Sequence, residues 1–148
     1  MPSINPYLTF LGNCEDAFNH YKSVFGGEFT YVGRFGEMPP QEGQPAMSDE
    51  DKNKIMHISL PIGNGTTLMG SDTGGEWAPQ TVIGNNITIS VNADSKEQAD
   101  RFFNQLSDGG RQTMPMNQTF WGDYFGMCTD KFQINWMISF NENAGKQA

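Results

Sequence analysis

The strongest constraint on the fold is that two halves of the sequence repeat one pattern. Segment 5–10 precedes a stretch with apolar residues at helical spacing, and segment 86–91 precedes a second stretch of the same kind. The matching positions are Ala17, Tyr21, Val24 and Gly27 in the first half and Ala99, Phe103, Leu106 and Gly109 in the second. Such a repeat indicates one supersecondary unit present twice. Two units that face each other enclose a cavity, which is a common position for a small ligand.

Each repeat is predicted to fold as β-α-β-β-β. Alternating apolar and polar residues predict first strands at 5–10 and 86–91, and helices follow from Asn13 to Gly26 and from Asp94 to Gly109. Further strands are predicted at 29–35, 55–62, 66–71, 112–117, 123–129 and 134–140, and the turn at 63–65 predicts a hairpin. The predicted fold class is α+β, with two β-α-β-β-β modules forming a cupped mixed sheet. We expect a single domain over 1–148, with modules at about 3–73 and 85–140, a linker at 74–84 and a tail at 141–148.

Composition and charge exclude several classes of function. The 148 residues carry a net charge of −8 and their basic residues do not cluster, so we predict no nucleic-acid binding. No apolar run approaches ~20 residues and the N-terminus lacks a signal-peptide pattern, so we predict no membrane association and a cytoplasmic location. Cys14 and Cys128 lie far apart without a metal-binding or redox motif, which indicates two reduced thiols. The acidic, Pro- and Gly-rich stretch 42–51 is predicted to be a solvated loop.

The two faces of the predicted sheets differ in chemistry. The face covered by helices takes Leu8, Phe10, Ile58, Leu60, Ile62, Ile87, Ile89, Val91, Ile134, Trp136 and Ile138. The opposite face carries amides, hydroxyls, thioethers and one histidine instead of Lys and Glu, which is typical of a pocket lining. Its predicted ligand-binding residues are Asn5, Tyr7, Thr9, His57, Ser59, Met69, Ser71, Asn86, Thr88, Asn135 and Met137. An ordinary polar sheet surface, or one covered by a second subunit, would look the same and remains an alternative.

A few individual residues suggest more specific roles. His57 is the candidate general acid or base, although no carboxylate is placed to orient it, and simple ligand contact is the alternative. Arg34 would either neutralise an anionic ligand or form a surface ion pair. Trp77 in the linker would cover the pocket mouth or anchor the linker. Asp72 and Asp130 lie at strand or turn ends, where capping a turn is the ordinary role.

Several short motifs carry a resemblance to a known family. They are Pro6-Tyr7-Leu8-x-Phe10, Tyr21-Lys22-x-x-Phe25-Gly26-Gly27-Glu28, Lys54-Ile55-Met56-His57, Leu68-Met69-x-Ser71-Asp72, Trp121-Gly122-Asp123-Tyr124-Phe125-Gly126, Asp130-Lys131-Phe132 and Asn135-Trp136-Met137-Ile138. Their order and spacing resemble the PhnB-like branch of the vicinal oxygen chelate superfamily, which includes glyoxalase I, extradiol dioxygenases and bleomycin-resistance proteins. The resemblance covers almost the whole chain. One departure is Gln133, which stands where the branch usually has glycine.

The resemblance implies paired modules around a central site, a homodimer and, in metal-dependent members, ligands on the first and last strands of each module. Those positions fall at Asn5 or Pro6, Met69, Asn86 and Met137. Amides and thioethers are poor ligands for divalent Ni, Zn or Fe, so we expect no metal and no cofactor. Members of the branch often carry the label 3-demethylubiquinone 3-methyltransferase, but this sequence lacks the glycine-rich strand-to-helix turn that binds S-adenosylmethionine.

The leading prediction is therefore metal-independent binding of a small, partly apolar molecule in the central cup of a homodimer. One alternative is a lyase, isomerase or dioxygenase-like enzyme of the superfamily that uses His57 or an unconventional metal. Another is a structural or interaction module whose cup holds no ligand.

Overall fold

The computed structural model describes residues 2–37, 43, 47–73 and 80–142. Its backbone contacts divide the chain into two compact units, Met1–Val82 and Ile83–Ala148. Each unit holds one four-stranded mixed sheet and one helix of 12 residues, in the order β-α-β-β-β, so the predicted α+β class is confirmed. No helix among these residues is both long and apolar enough to cross a membrane.

Unit 1 follows the predicted order with two local differences. Its elements are β1 (Tyr7–Phe10), α1 (Cys14–Phe25), β2 (Tyr31–Arg34), a 3-10 turn (Phe35–Glu37), α2 (Asp49–Asn53), β3 (Ile55–Gly63) and β4 (Thr66–Asp72). The sheet order is β1-β4-β3-β2, and only β1 and β4 pair in parallel. β2 is shorter than predicted because Phe35 begins the 3-10 turn. The loop prediction for 42–51 missed α2, whose first turn is capped by Ser48 accepting a bond from the Asp51 N–H.

Unit 2 repeats the topology, but its first strand begins later than predicted. Its elements are β5 (Ile89–Asn92), α3 (Lys96–Ser107), β6 (Arg111–Gln118), β7 (Tyr124–Thr129) and β8 (Asn135–Phe140), with sheet order β5-β8-β7-β6. β5 pairs in parallel with β8 from Ile89 onward, so the predicted start at 86 is wrong. The Asn135 side chain bonds the carbonyl of Ile87 in place of a strand partner. Ile87 is 77% exposed and does not belong to the core.

The rest of the predicted core lies beneath the helices. Phe10, Ile58, Leu60, Trp136 and Ile138 are buried, and Leu8, Ile62, Ile89, Val91 and Ile134 are half-buried. In unit 1 the ring of Phe18 on α1 meets those of Phe10 and Tyr21 edge to face, at centroid distances of 6.2 and 5.6 Å. Gly70 makes room for this packing, because a Cβ there would lie 2.7 Å from the Phe18 ring.

Asp72 caps α1 from a distant strand, which corrects two expectations. Residue type favours Asn13, at the start of the predicted helix, as its N-cap, but the Asn13 side chain makes no capping bond. Instead Oδ1 of Asp72 accepts from the N–H groups of Gly12 and Cys14, at 3.0 and 2.9 Å, and Oδ2 accepts from Ile55 N–H at 2.9 Å. The side chain therefore links the start of α1, the start of β3 and the end of β4, and is not a local turn cap.

Asp130 is partly the local turn cap that the sequence predicted. Its Oδ1 accepts from the N–H groups of Phe132 and Ile134, at 2.8 and 3.0 Å. Its Oδ2 accepts from the indole Nε1 of Trp136 at 2.8 Å, in the core. The β7–β8 turn is thereby fixed to the buried tryptophan.

The two thiols are expected to be almost unreactive in the folded chain. Cys14 and Cys128 are 0% and 1% exposed. Burial, helped by nearby carboxylates, raises the pKa of Cys128 to about 12 and raises the pKa of Cys14 further. At pH 8 the thiolate fraction of Cys128 should be about a thousandfold below that of an ordinary thiol. Because the pKa of Cys128 is higher in the folded than in the unfolded chain, protonation of this thiol favours the folded state. This contribution to the free energy of unfolding is complete below the unfolded-state pKa and declines as the pH rises toward 12. Ellman's reagent should label both thiols readily only in denaturant, and rapid labelling of the native chain would contradict this.

Candidate ligand-binding faces

The open face of the first sheet carries one row of side chains across all four strands. Tyr7 lies opposite Met69, Met69 opposite Ser59, and Ser59 opposite Tyr31. Directly opposed residues project from the same face of a sheet. Tyr7 and Tyr31 are 48% and 49% exposed, whereas Ser59 between them is 9% exposed. The row therefore has a half-exposed aromatic ring at each end and a nearly buried hydroxyl between them.

His57 lies at the centre of this face. Its Nε2 is 2.9 Å from Ser59 Oγ and its Nδ1 is 3.4 Å from the Tyr7 hydroxyl. The rings of Tyr7 and Tyr31 both have centroids 5.7 Å from that of the imidazole. A Cβ on Gly33, the strand partner of His57, would lie 2.7 Å from the Tyr31 ring, so this glycine leaves the space that the ring fills. We call Tyr7, Tyr31, His57 and Ser59 the aromatic cluster.

Arg34 does not contribute a charge to this face. Its guanidinium forms an ion pair with Glu15, and its Nη1 also donates to the Asn53 carbonyl at 2.7 Å. The hydrogen bond with Glu15 raises the pKa of Arg34. The surface ion pair, one of the two roles predicted for this residue, is the one that the structure contains. The aromatic cluster itself is composed of hydroxyl, imidazole and aromatic groups.

The remaining predicted residues of the first module lie around the cluster. Thr9 is exposed opposite Ser71 on the same face, and Met69 lies half-buried inside the row. Asn5 precedes β1, and its Oδ1 accepts the Thr67 N–H at 2.9 Å, so it ties the chain to β4. Sequence reasoning missed Tyr31. Residues two apart on a strand share a face, as Tyr31 and Gly33 do, but this spacing does not give their position next to His57, which the pairing of β2 with β3 decides.

The second sheet has a comparable open face with different chemistry. Its central row consists of Ser90, Met137, Met127 and Met114, one from each strand. Met137 was predicted from the sequence to bind a ligand, whereas Met127 and Met114 were not. The signal was available, because Met127 alternates with buried residues along β7.

The other residues predicted for this module lie at its edge. Asn86 and Thr88 precede β5, and Asn86 is exposed. Ser90, rather than Asn86, lies opposite Met137, just as Tyr7 lies opposite Met69 in the first sheet. The matching positions of the two first strands therefore differ from those inferred from the repeat.

Asn135 positions a loop beside this sheet. Its Oδ1 accepts from Thr129 Oγ1 at 2.8 Å, and its Nδ2 donates to the carbonyls of Gly84 and Ile87 at 3.4 and 3.3 Å. The loop and the sheet end enclose an open groove of about 600 Å³ within unit 2. Arg111, Thr129 and Asn135 form its sheet side, and Gly84, Lys131 and Gln133 lie on the surrounding loops.

Within the described ranges, no three side chains of His, Cys, Asp or Glu come together as a metal site. The positions that the resemblance matched to metal ligands are held by amides and thioethers, which suit divalent ions poorly. Trp77, predicted to cover the pocket mouth or to anchor the linker, is outside the described residues.

Comparisons with known proteins agree with this architecture. A family model described as 3-demethylubiquinone-9 3-methyltransferase matches residues 2–139. Protein YjdN of Escherichia coli K12 is 33% identical over 141 residues, covering 92% of this chain and 93% of that protein. The crystal structure of protein PA1353 from Pseudomonas aeruginosa is 38% identical with a TM-score of 0.79, covering 95% of this chain and 98% of that one. A glyoxalase-related enzyme from Fulvimarina pelagi, 16% identical over 95% of this chain and 89% of its own, shares the fold with a TM-score of 0.59.

Proposed function

This chain belongs to the 3-demethylubiquinone-9 3-methyltransferase family, the PhnB-like branch of the vicinal oxygen chelate fold, and we propose that it binds a small, partly apolar molecule without a divalent metal. The open face of the first sheet is the proposed site. The aromatic cluster is the observation that supports the proposal most directly, because two half-exposed tyrosine rings flank an imidazole. Assembly as a homodimer stays a prediction.

The chemistry of the cluster favours a neutral, flat ligand. Ring contacts of this kind contribute about 0.5–1.5 kcal/mol each beyond the area they bury. The hydroxyl groups of Tyr7, Tyr31 and Ser59 can each donate or accept a further bond, worth about 1 kcal/mol. Both nitrogens of the imidazole already lie near the hydroxyls of Ser59 and Tyr7. Met69 adds a flexible thioether that adapts to irregular shapes. Since no ion pair is involved, binding should depend little on salt concentration.

Methyl transfer, the activity in the family's description, is not the function that we propose. Binding of S-adenosylmethionine in the usual methyltransferases uses a parallel sheet with a glycine-rich strand-to-helix turn. Here β1 leads to α1 through a turn with one glycine, Gly12, and the glycine-rich turn at 63–65 joins two antiparallel strands. Neither of these two turns is therefore the strand-to-helix turn that such a cofactor site uses.

Removing one ring of the cluster should weaken binding of a neutral aromatic probe. We expect His57→Ala and Tyr31→Ala each to lower the affinity for N-phenyl-1-naphthylamine about tenfold, corresponding to about 1–2 kcal/mol of lost ring and hydrogen-bond contacts. Fluorescence titration in buffer with EDTA measures this and tests metal independence together. Phe120→Ala is the matched control, because that ring is 98% exposed on another hairpin. Equal affinity in all variants, or binding that needs added metal, would contradict the proposal.

Gly33→Ala tests the same site without removing any chemical group. The added methyl would push the Tyr31 ring away from His57, since the atoms in its way are the far end of that side chain. We expect weaker probe binding with a change in unfolding free energy of less than about 1 kcal/mol. Native mass spectrometry of freshly purified protein would then identify any bound molecule.

Acid–base catalysis by His57 is a second candidate. Its Nε2 lies 2.9 Å from Ser59 Oγ, and its Nδ1 faces the Tyr7 hydroxyl on the other side of the ring. A proton could therefore pass between these hydroxyls through the imidazole. His57→Gln keeps a hydrogen-bonding side chain of similar size. If a copurified ligand is chemically changed by the wild-type chain but not by this variant, the function is catalytic.

A further inference from the structure

We propose that unit 2 contains a second site, which binds an organic anion. The anionic group would lie in the groove between Arg111 and Lys131, and the apolar body would lie over the row of Met114, Met127 and Met137. This site is composed of residues of unit 2 alone, so it does not depend on the function proposed for the aromatic cluster of unit 1. The ligand class is a small molecule with one carboxylate, sulfonate or phosphate group on an apolar skeleton.

Two cations, Arg111 and Lys131, line the groove of a strongly acidic chain, and the ammonium of Lys131 lies 5.4 Å from the centre of the Phe132 ring. The chain has 9 Lys and Arg residues and a net charge of −8. The ion pairs of the described residues use Lys22, Arg34 and Lys54, so neither Arg111 nor Lys131 has an acidic partner in that part of the chain. An arginine in such a position can hold an oxyanion with two parallel hydrogen bonds.

The one carboxylate in the groove wall does not balance these charges at the surface. Asp130 is 2% exposed, and both of its oxygens accept bonds from N–H groups of the chain itself. Its charge is thus directed into the turn and the core. The groups that a ligand would meet are the guanidinium of Arg111, the ammonium of Lys131 and the neutral side chains around them.

The positions of Lys131 and Gln133 at the groove are set by contact with Gly109 and by the turn at Asp130. The Lys131 chain passes over Gly109, with its Cδ 3.2 Å from where a Cβ would lie, beside the C-terminal end of α3. A cation is favourable at that helix end, so a purely structural role of Lys131 is the competing explanation.

Gln133 has φ of 71°, a strained value for a residue with a side chain. Its N–H donates to the Asp130 carbonyl at 3.0 Å, which closes the turn, and Gln133 is among the residues that line the groove.

The apolar half of the site lies directly beside the charged half. Along β7, Thr129 and Met127 are two residues apart on the same face, a distance of about 7 Å. On β8, Asn135 and Met137 have the same relation. Thr129 and Asn135 are hydrogen-bonded to each other, so the polar row and the methionine row are neighbours on one sheet. A ligand of naphthalene size would reach from one row to the other.

Paired fluorescent probes can test this site in the full chain. 8-Anilinonaphthalene-1-sulfonate carries an anionic group, and N-phenyl-1-naphthylamine is the same ring system without it. We expect Arg111→Gln with Lys131→Gln to weaken the sulfonate at least about tenfold, the loss of two charged contacts, and to leave the neutral probe unchanged. Lys96→Gln with Arg101→Gln is the matched control, because it removes two exposed charges from the same unit and should change neither affinity.

Each possible outcome decides the question. Equal loss in the two double variants would mean general charge attraction and would overturn the proposal. A lower melting temperature for Lys131→Gln with unchanged sulfonate affinity would leave only the helix-end role. Gln133→Gly should relieve the strained φ, keep the fold and weaken the sulfonate. His57→Ala should leave the sulfonate unaffected, so failure of this site and failure of the aromatic cluster are distinguishable.

Discussion

Asp72→Ala is expected to lower the free energy of unfolding by about 3–4 kcal/mol, because it removes the acceptor of three backbone N–H groups at once. The carboxylate is 4% exposed and accepts from the N–H groups of Gly12, Cys14 and Ile55. Without it, the first turn of α1 has no side-chain acceptor, since the Asn13 side chain makes no capping bond. The loss combines unsatisfied buried groups with separation of α1 from β3.

Urea unfolding followed by circular dichroism measures this difference. Asp16→Ala is the control, since Asp16 is an exposed acid in the first turn of the same helix and should cost no more than about 0.5 kcal/mol. Asp72→Asn should fall between the two variants, because the amide keeps one acceptor oxygen but turns a donor toward an N–H group. A loss below about 1 kcal/mol for Asp72→Ala would mean that water or another side chain replaces the carboxylate.

The parts of the fold that could be predicted from the sequence are those with local signals. Both long helices follow from apolar residues at helical spacing, ended by glycines at Gly26 and Gly109. The hairpin at 63–65 follows from residues that readily take positive φ, and φ there is 94°, 50° and 78°. The motif order also predicted the PhnB-like family correctly. The helix and hairpin signals each lie within one short stretch of the chain, whereas the order of the motifs extends over almost all of it.

Two of the errors occur where a distant residue decides the local structure, whereas the missed helix α2 has a local cap, Ser48. Polar and apolar residues do alternate at 86–91, but a strand also needs a pairing partner. The Ile87 carbonyl accepts a bond from the Asn135 side chain instead, and pairing with β8 begins only at Ile89. Likewise the cap of α1 comes from Asp72, which is 58 residues from Cys14 along the chain. Propensity alone favoured Asn13 for that role.

The candidate sites show the same division. Period-two alternation placed Tyr7, His57 and Met69 on one face, as the sheet register has them. Tyr31 joins them only through the register of β2 and the space above Gly33, which are tertiary features. Arg111 begins β6 and Lys131 lies in the turn between β7 and β8, so the two positions have no periodic relation in the sequence. That all these residues bind ligands stays a prediction.

Gly110→Ala should be about as damaging as loss of Asp72, at about 3 kcal/mol, because the added methyl meets backbone that cannot move separately. A Cβ at Gly110 would lie 2.1 Å from the Thr129 carbonyl oxygen and 2.7 Å from the Asp130 carbonyl carbon. The end of β7 and the start of β6 would have to separate, and Arg111 would move away from Thr129, its strand partner. We therefore also expect weaker binding of the anionic probe.

Gly84→Ala is the matched control for this prediction, because Gly84 lines the same groove with room for a methyl group. The nearest atom to its Cβ would be Asn86 Oδ1 at 3.7 Å, an ordinary contact. Its unfolding free energy should stay within about 0.5 kcal/mol of the wild type, or rise slightly because alanine restricts the unfolded chain. Thermal and urea unfolding of both variants would give the comparison. If Gly110→Ala proved as stable as Gly84→Ala, the close approach of β6 to β7 at this turn would be wrong, and the groove beside it would need a different shape.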